Sequence, residues 1–258
     1  MAAMTRATAI NLAAVATIGL VLVGDSVSTR VEQLWLGVAV CALLLFELKW
    51  ASPDERQIVL CCVAVSTAAE LFCTQVWHLY GYRFGNVPLY VPPGHGLLCL
   101  AALWTARSQV LTRHARAFTA VIVTLALGWA ALGLFVADRP DVEGALFLPI
   151  FLPLVFFTRR RLEWCWTFVL ASLVELAGTV LGTWEWASVQ PWLNVPSGNP
   201  PSVAAGGYCM FGFAALGCAA LLRRLRRPSN SLVPSSSTSG APAAEQEQPP
   251  VTSPAPSS

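Results

Sequence analysis

The chain has 258 residues, of which 55% are hydrophobic and 12% charged. A soluble domain of this size could not hide so much apolar surface, so the composition signals an integral membrane protein. The formal net charge of +2 says little by itself; the positions of the 16 Lys and Arg residues say more.

Eight apolar segments can be marked against the roughly 20 residues that cross a bilayer: 7–24, 33–50, 57–78, 88–106, 115–137, 141–158, 163–184 and 203–222. The first follows Arg6 and has the length of a signal peptide, but no small-x-small cleavage site precedes Asp25. The fourth opens on Pro92-Pro93-Gly94 and is either a full span or a re-entrant hairpin. The sixth holds Pro149 and Pro153, which should kink it or break its hydrogen-bond ladder. With the N-terminus inside, 13 of the 16 basic residues fall in cytoplasmic segments, and only Arg30, Arg83 and Arg139 fall in outer loops. The arginine clusters 159–161 and 223–227 read as topology anchors and anionic-lipid contacts, and no nucleic-acid partner is expected. From Pro228 the chain turns to Ser, Pro, Ala, Glu and Gln, the composition of a disordered cytoplasmic tail over 228–258.

Two stretches share one motif. Glu70-Leu71 is followed by Thr74, Tyr80, Tyr82 and Asn86-Val87-Pro88; Glu175-Leu176 is followed by Thr179, Trp184, Trp186 and Asn194-Val195-Pro196. The offset is 105 residues at the glutamates and 108 at the Asn-Val-Pro triplets. Four segments separate the copies, which places them in parallel orientation. The predicted fold is therefore all-α: a polytopic membrane helix bundle of about eight transmembrane helices in two parallel four-helix repeats, about 7–106 and 115–222, within a transmembrane domain 1–227.

A carboxyl inside an apolar helix is a functional-site hypothesis by default. Burial favours its neutral form, which is what a general acid requires; its structural reading is a side chain that hydrogen-bonds a neighbouring helix. At 100° per residue Glu70, Thr74, Trp77 and His78 share one side of their helix. The loop 85–96 is rich in Pro and Gly, and its His95 falls on the first turn of the fourth segment, where it can serve as a neutral donor or base. The second loop has no histidine, so the expected site is asymmetric, with His95 and His78 facing Glu175. Candidate catalytic residues are Glu70, His95 and Glu175. Candidate substrate-binding residues are Thr74, Trp77, Tyr80, Tyr82, Asn86, Tyr90, Thr179, Trp184, Trp186 and Asn194, the aromatics reading either as a belt or as a cage that stabilises a developing cation.

No His-Glu spacing of a zinc or iron site is present, and no metal or cofactor is expected. The eight cysteines all lie in apolar runs without a C-x-x-C pair and read as small buried hydrophobes. Walker, dinucleotide and nucleophile-elbow motifs are missing from the sequence.

The order Glu-x-x-x-Thr, aromatic-x-aromatic, Val-Pro resembles the membrane-bound carotenoid hydratases of the bisanhydrobacterioruberin type. It is carried by Glu70, Thr74, Tyr80, Tyr82 and Val87-Pro88, and again by Glu175, Thr179, Trp184 and Trp186. The string 91–96, Val-Pro-Pro-Gly-His-Gly, is similar to one in uncharacterised bacterial inner-membrane proteins. The resemblance implies a multi-pass enzyme of the bacterial inner membrane, with both termini cytoplasmic. It also implies a lyase that adds water to a double bond of an isoprenoid or carotenoid lipid. Two other classes remain open: a proton-coupled carrier or binding protein for a small or lipophilic ligand, and a structural membrane subunit.

Overall fold

The computed structural model describes residues 2–226. Helices α1 (Ala2–Val27), α2 (Arg30–Glu47), α3 (Pro53–Leu71), α4 (Val91–Thr105), α5 (Gln109–Arg113), α6 (Ala115–Phe135), α7 (Val142–Leu146), α8 (Leu148–Phe157), α9 (Arg161–Val180) and α10 (Ala205–Arg226) make up most of the chain. The strands are β1 (Tyr80–Tyr82), β2 (Trp184–Trp186), β3 (Val189–Gln190) and β4 (Val195–Pro196). The expected tail at 228–258 lies outside the described residues.

Four helical stretches are long and apolar enough to cross a membrane: Arg30–Trp50, Pro53–Val76, Ala115–Phe135 and Ala205–Arg226. Ala13–Val27 and Val142–Phe157 are apolar but shorter. The 15 residues of α4 rise about 22 Å, less than a hydrocarbon core of about 30 Å. The sixth expected segment divides into α7 and α8. Pro149 occupies the first turn of α8, where its missing N–H has no partner to lose, and Pro153 lies inside the helix. Large apolar side chains stay exposed along the sides, Phe157 at 87% and Val180 at 84%. A face so apolar suits lipid contact and marks a membrane protein.

Capping boxes fix the corners at opposite ends. Thr29 and Glu32 start α2; Ser52 and Glu55 start α3, where Glu55 Oε2 accepts from the Ser52 amide at 2.7 Å. Glu55 Oε1 also accepts from Arg107 at 2.6 Å and Trp104 Nε1 at 3.1 Å, tying the start of α3 to the end of α4. Ser52→Ala is expected to lower stability by about 1 kcal/mol, measured by thermal unfolding in detergent.

Helices α3 and α9 run from this basic end to the end that carries the strands, and α4 and α10 run back. At the centre of the bundle α3 and α9 each pack on both α4 and α10. Helices α1 and α2 cover α4 on one side; α6 and α8 cover α9, and α8 also packs on α10. At the strand end β1 pairs antiparallel with β2 in the register Tyr80–Trp186, Gly81–Glu185, Tyr82–Trp184. The aromatic-x-aromatic pairs of the two motifs are thus hydrogen-bonded to each other, centred on Gly81 and Glu185.

Candidate functional site

Glu70 lies near the end of α3, 3% exposed. One turn later the helix widens into a π-turn over Phe72–Val76, with Trp77 N donating to Phe72 O at 2.8 Å, and His78 closes it at φ 57°. That left-handed residue turns the chain back as β1, so both tyrosines return to the glutamate. Tyr80 Oη donates to Glu70 Oε2 at 2.9 Å, and Tyr82 Oη donates to the same oxygen at 2.8 Å. The other oxygen, Oε1, lies 3.0 Å from His95 Nε2.

The second motif repeats this plan with other side chains. Helix α9 ends at Gly182, φ 68°, and β2 returns. Trp184 Nε1 donates to Glu175 Oε2 at 3.1 Å and Trp186 Nε1 to the same oxygen at 3.0 Å. Tyr208 Oη, on the first turn of α10, lies 2.6 Å from Glu175 Oε1. Glu175 is 4% exposed. A methyl on Gly178 would overlap the Trp184 ring, so this glycine makes the room that the indole occupies.

The two quartets meet at the bundle centre, where the rings of His95 and Tyr208 stack at 4.8 Å between centroids and 22° between planes. Indole N–H groups only donate, so Glu175 Oε2 is an acceptor alone, and two phenols fill Glu70 Oε2. The Oε1 atoms are the ones that face the stack, that of Glu70 toward His95 and that of Glu175 toward Tyr208.

Cavities flank the stack. One, of about 50 Å³, is bounded by Ile18, Val40, Tyr82, Tyr90, Gly94 and Trp184 among others. The second, about 30 Å³, is bounded by Ile58, Cys99, Leu103, Glu163, Trp164 and Gly212 among others. His95, Leu98 and Tyr208 line both. A wider recess at the strand end is lined by Thr74, His78, Arg83, Glu185, Ser188 and Asn199, with Tyr80, Tyr82, Trp184 and Trp186 as its floor.

Not every candidate residue joins this centre. The Thr74 and Thr179 hydroxyls donate back to the carbonyls of Glu70 at 2.7 Å and Glu175 at 2.8 Å, and both residues edge the recess. Trp77 stacks on Trp192 at 4.6 Å, away from the carboxyls, because the π-turn ends the regular 100° progression on which the shared face relied. His78 does not face Glu175: it caps the helix, and its Nδ1 lies 3.0 Å from Thr74 O. Asn86 Nδ2 donates to Gln33 Oε1 at 3.0 Å, and Tyr90 Oη donates to Asp25 Oδ2 at 2.9 Å. Asn194 is an exposed turn residue at φ 54°. His95 pairs with the glutamate of its own half, where the sequence led us to expect Glu175.

Tyr208 is the residue that the sequence reading missed. Counted from the Pro-Pro pairs, the place of His95 in the second copy is Val203; counted from the helix starts, Val91 and Ala205, it falls at Tyr208 within one residue. Asp25 and Asp141 were not among the expected site residues either. Asp25 receives Gln33 Nε2 at 2.8 Å and Tyr90, and Asp141 receives three backbone amides, from Gly144, Gly198 and Ser202. Each fastens the loop leading into α4 or α10, and so the helix start that presents His95 or Tyr208.

Among the described residues no three His, Cys, Asp or Glu side chains are grouped to hold a metal ion. No protein-family model, curated protein or solved structure matches this chain.

Proposed function

We propose that this is a multi-pass enzyme of the bacterial inner membrane, with eight helical segments in two parallel four-helix repeats and the basic end in the cytoplasm. In this reading it adds water to a double bond of an isoprenoid or carotenoid lipid. The observation that carries the reading is the shared aromatic wall: Tyr82 and Trp184 line an apolar cavity and also the polar recess at the strand end. Lipid would supply the substrate from within, and solvent would supply water from the recess. The repeat reading is supported by the two matching quartets and by strand pairing about Gly81 and Glu185.

In the chemistry we propose, the proton shared by Glu70 and His95 passes to one carbon of the double bond. The other carbon becomes a tertiary cation under the faces of Tyr82 and Trp184. Water attacks that cation and gives up its proton toward Tyr208 and Glu175, leaving an alcohol. One proton enters and one leaves, and exchange with solvent restores the starting state. The carboxyls act as general acid and base, a role that needs hydrogen-bond reach and no bound metal.

The test is the lipid and isoprenoid profile of host membranes carrying the wild-type chain, Glu70→Gln, Glu175→Gln, or no chain. We expect a species that gains one water in the wild type and disappears in both variants. Identical profiles in all four would overturn the hydratase reading; ligand uptake that the same two variants abolish would then assign the carboxyls to a carrier.

A further inference from the structure

The strands that close the carboxyl quartets have a second face. Tyr80, Tyr82, Trp184 and Trp186 turn inward to Glu70 and Glu175, so the alternation along each strand sends the residues between them outward. There Glu185 stands directly opposite Gly81, and Arg83 prolongs β1 through the bond from its amide to Thr183 O at 3.1 Å. Glu185 and Arg83 are therefore diagonal neighbours, which in a strand pair lie about 7–8 Å apart. Gly81 between them carries no side chain, and a Cβ added to it would meet nothing within 4 Å. These three residues, with His78, Ser188 and Asn199, edge the strand-end recess of about 740 Å³. A space of that size suits a small molecule, whereas the inner cavities of about 50 and 30 Å³ admit only a few waters.

The charges at the rim are not paired with each other. Arg83 Nη1 donates to Ser26 O at 2.8 Å, Nη2 donates to Ser28 O, and the guanidinium lies over the Phe84 ring at 4.4 Å. These contacts hold the side chain against the corner between α1 and α2 and supply no negative charge. The ion pairs of the described residues are His95–Glu70, Arg107–Glu55, Arg160–Glu163 and Arg223–Asp54, so neither Arg83 nor Glu185 belongs to one. An anion alone would be opposed by Glu185, and a cation alone by Arg83. A ligand that carries both charges is favoured on each side.

We propose that the recess binds a phosphoethanolamine-type zwitterion, its phosphate beside Arg83 and its ammonium beside Glu185. The two carbons between those groups let them reach side chains set apart across Gly81. The charges of an α-amino acid, joined through one carbon, span that gap less well. Such a group exists free in solution and as the head of a phospholipid, and its recognition chemistry is the same in both. A ligand seated there covers the outer side of the wall made by Tyr82 and Trp184. The site does not rest on the hydratase reading, because no reacting atom enters it.

The test is isothermal titration of the purified full chain in detergent with glycerophosphoethanolamine, for which saturable binding is expected. Glycerophosphoglycerol keeps the phosphodiester without the ammonium, and ethanolamine lacks the phosphate. Each should bind at least about tenfold more weakly, a difference of about 1.4 kcal/mol. Glu185→Gln should cause the same loss by removing the charge, and Gly81→Val by filling the gap. Asp138→Asn removes a negative charge outside the recess and should leave binding unchanged. Thermal unfolding should confirm that all three variants fold. No binding in the wild type, or undiminished binding in either folded recess variant, would overturn the site, as would equal binding of glycerophosphoglycerol. Nanodiscs separate the two sources. If phosphatidylethanolamine discs block the soluble probe and phosphatidylglycerol discs admit it, the site takes the lipid; equal binding in both assigns it to the free molecule. A hydrated product can appear with or without this binding, so the two readings fail separately.

Discussion

Gly178→Ala is expected to cost about 2–6 kcal/mol of stability and to disrupt the Glu175 quartet. The added methyl overlaps the six-membered ring of Trp184, and that ring cannot retreat: it is buried, paired through its strand with Tyr82, and anchored by Nε1 to Glu175 at 3.1 Å. Overpacking of this kind costs about 1–3 kcal/mol, and the lost hydrogen bond a further 1–3. Tryptophan emission should shift to the red as the indole reaches solvent, and the thermal midpoint in detergent should fall. In the first half Cys73 and Tyr80 stand where the second half has Gly178 and Trp184. The pair of changes Gly178→Cys and Trp184→Tyr should therefore recover most of the stability that Gly178→Cys alone loses, which a double-mutant cycle reads.

Asp141→Ala should be of similar size, about 3–6 kcal/mol, for a different reason. The side chain is 4% exposed and receives Gly144 N at 2.9 Å, Gly198 N at 2.8 Å and Ser202 N at 2.5 Å. Truncation leaves three buried amide donors without an acceptor, at about 1–3 kcal/mol each, partly relieved by water at the strand end. Asp141→Asn keeps one carbonyl oxygen for Gly144 and Gly198 but sets an amide group against Ser202 N, so its loss should be intermediate. Limited proteolysis would show the difference directly, with cleavage in the 197–202 loop in Asp141→Ala before the bundle itself unfolds.

The helical character of the chain and its membrane habit were legible in composition and in apolar segment length, because lipid selects strongly for both. The carboxyls were legible too, since an acid in an apolar run stands out. The number of crossings was less so: eight segments were expected, and four stretches have the length and apolarity to qualify. Residues whose roles depend on local backbone geometry were the hardest to read. A π-turn has no compositional mark, so the shared face of Glu70, Trp77 and His78 was drawn on a regular helix that ends at Leu71. Tyr208 was hidden because the loop before α10 is longer than its counterpart, and the count from Pro-Pro ran out of register. The pairing of β1 with β2 joins residues about a hundred positions apart through strands of three residues each, too short to carry a periodic signal.

Every polar partner of each buried carboxyl comes from its own half of the chain. Glu70 reaches His95 across 25 residues and Glu175 reaches Tyr208 across 33, with the intervening aromatics nearer still. During synthesis the first acid can thus enter the bilayer already surrounded by its three polar partners, before any of the second half has left the ribosome. Neither half waits on the other to neutralise the cost of carrying a carboxyl through the insertion machinery. What does wait is the contact of His95 with Tyr208, which forms only when α10 is in place, so the centre is assembled after both halves have been made.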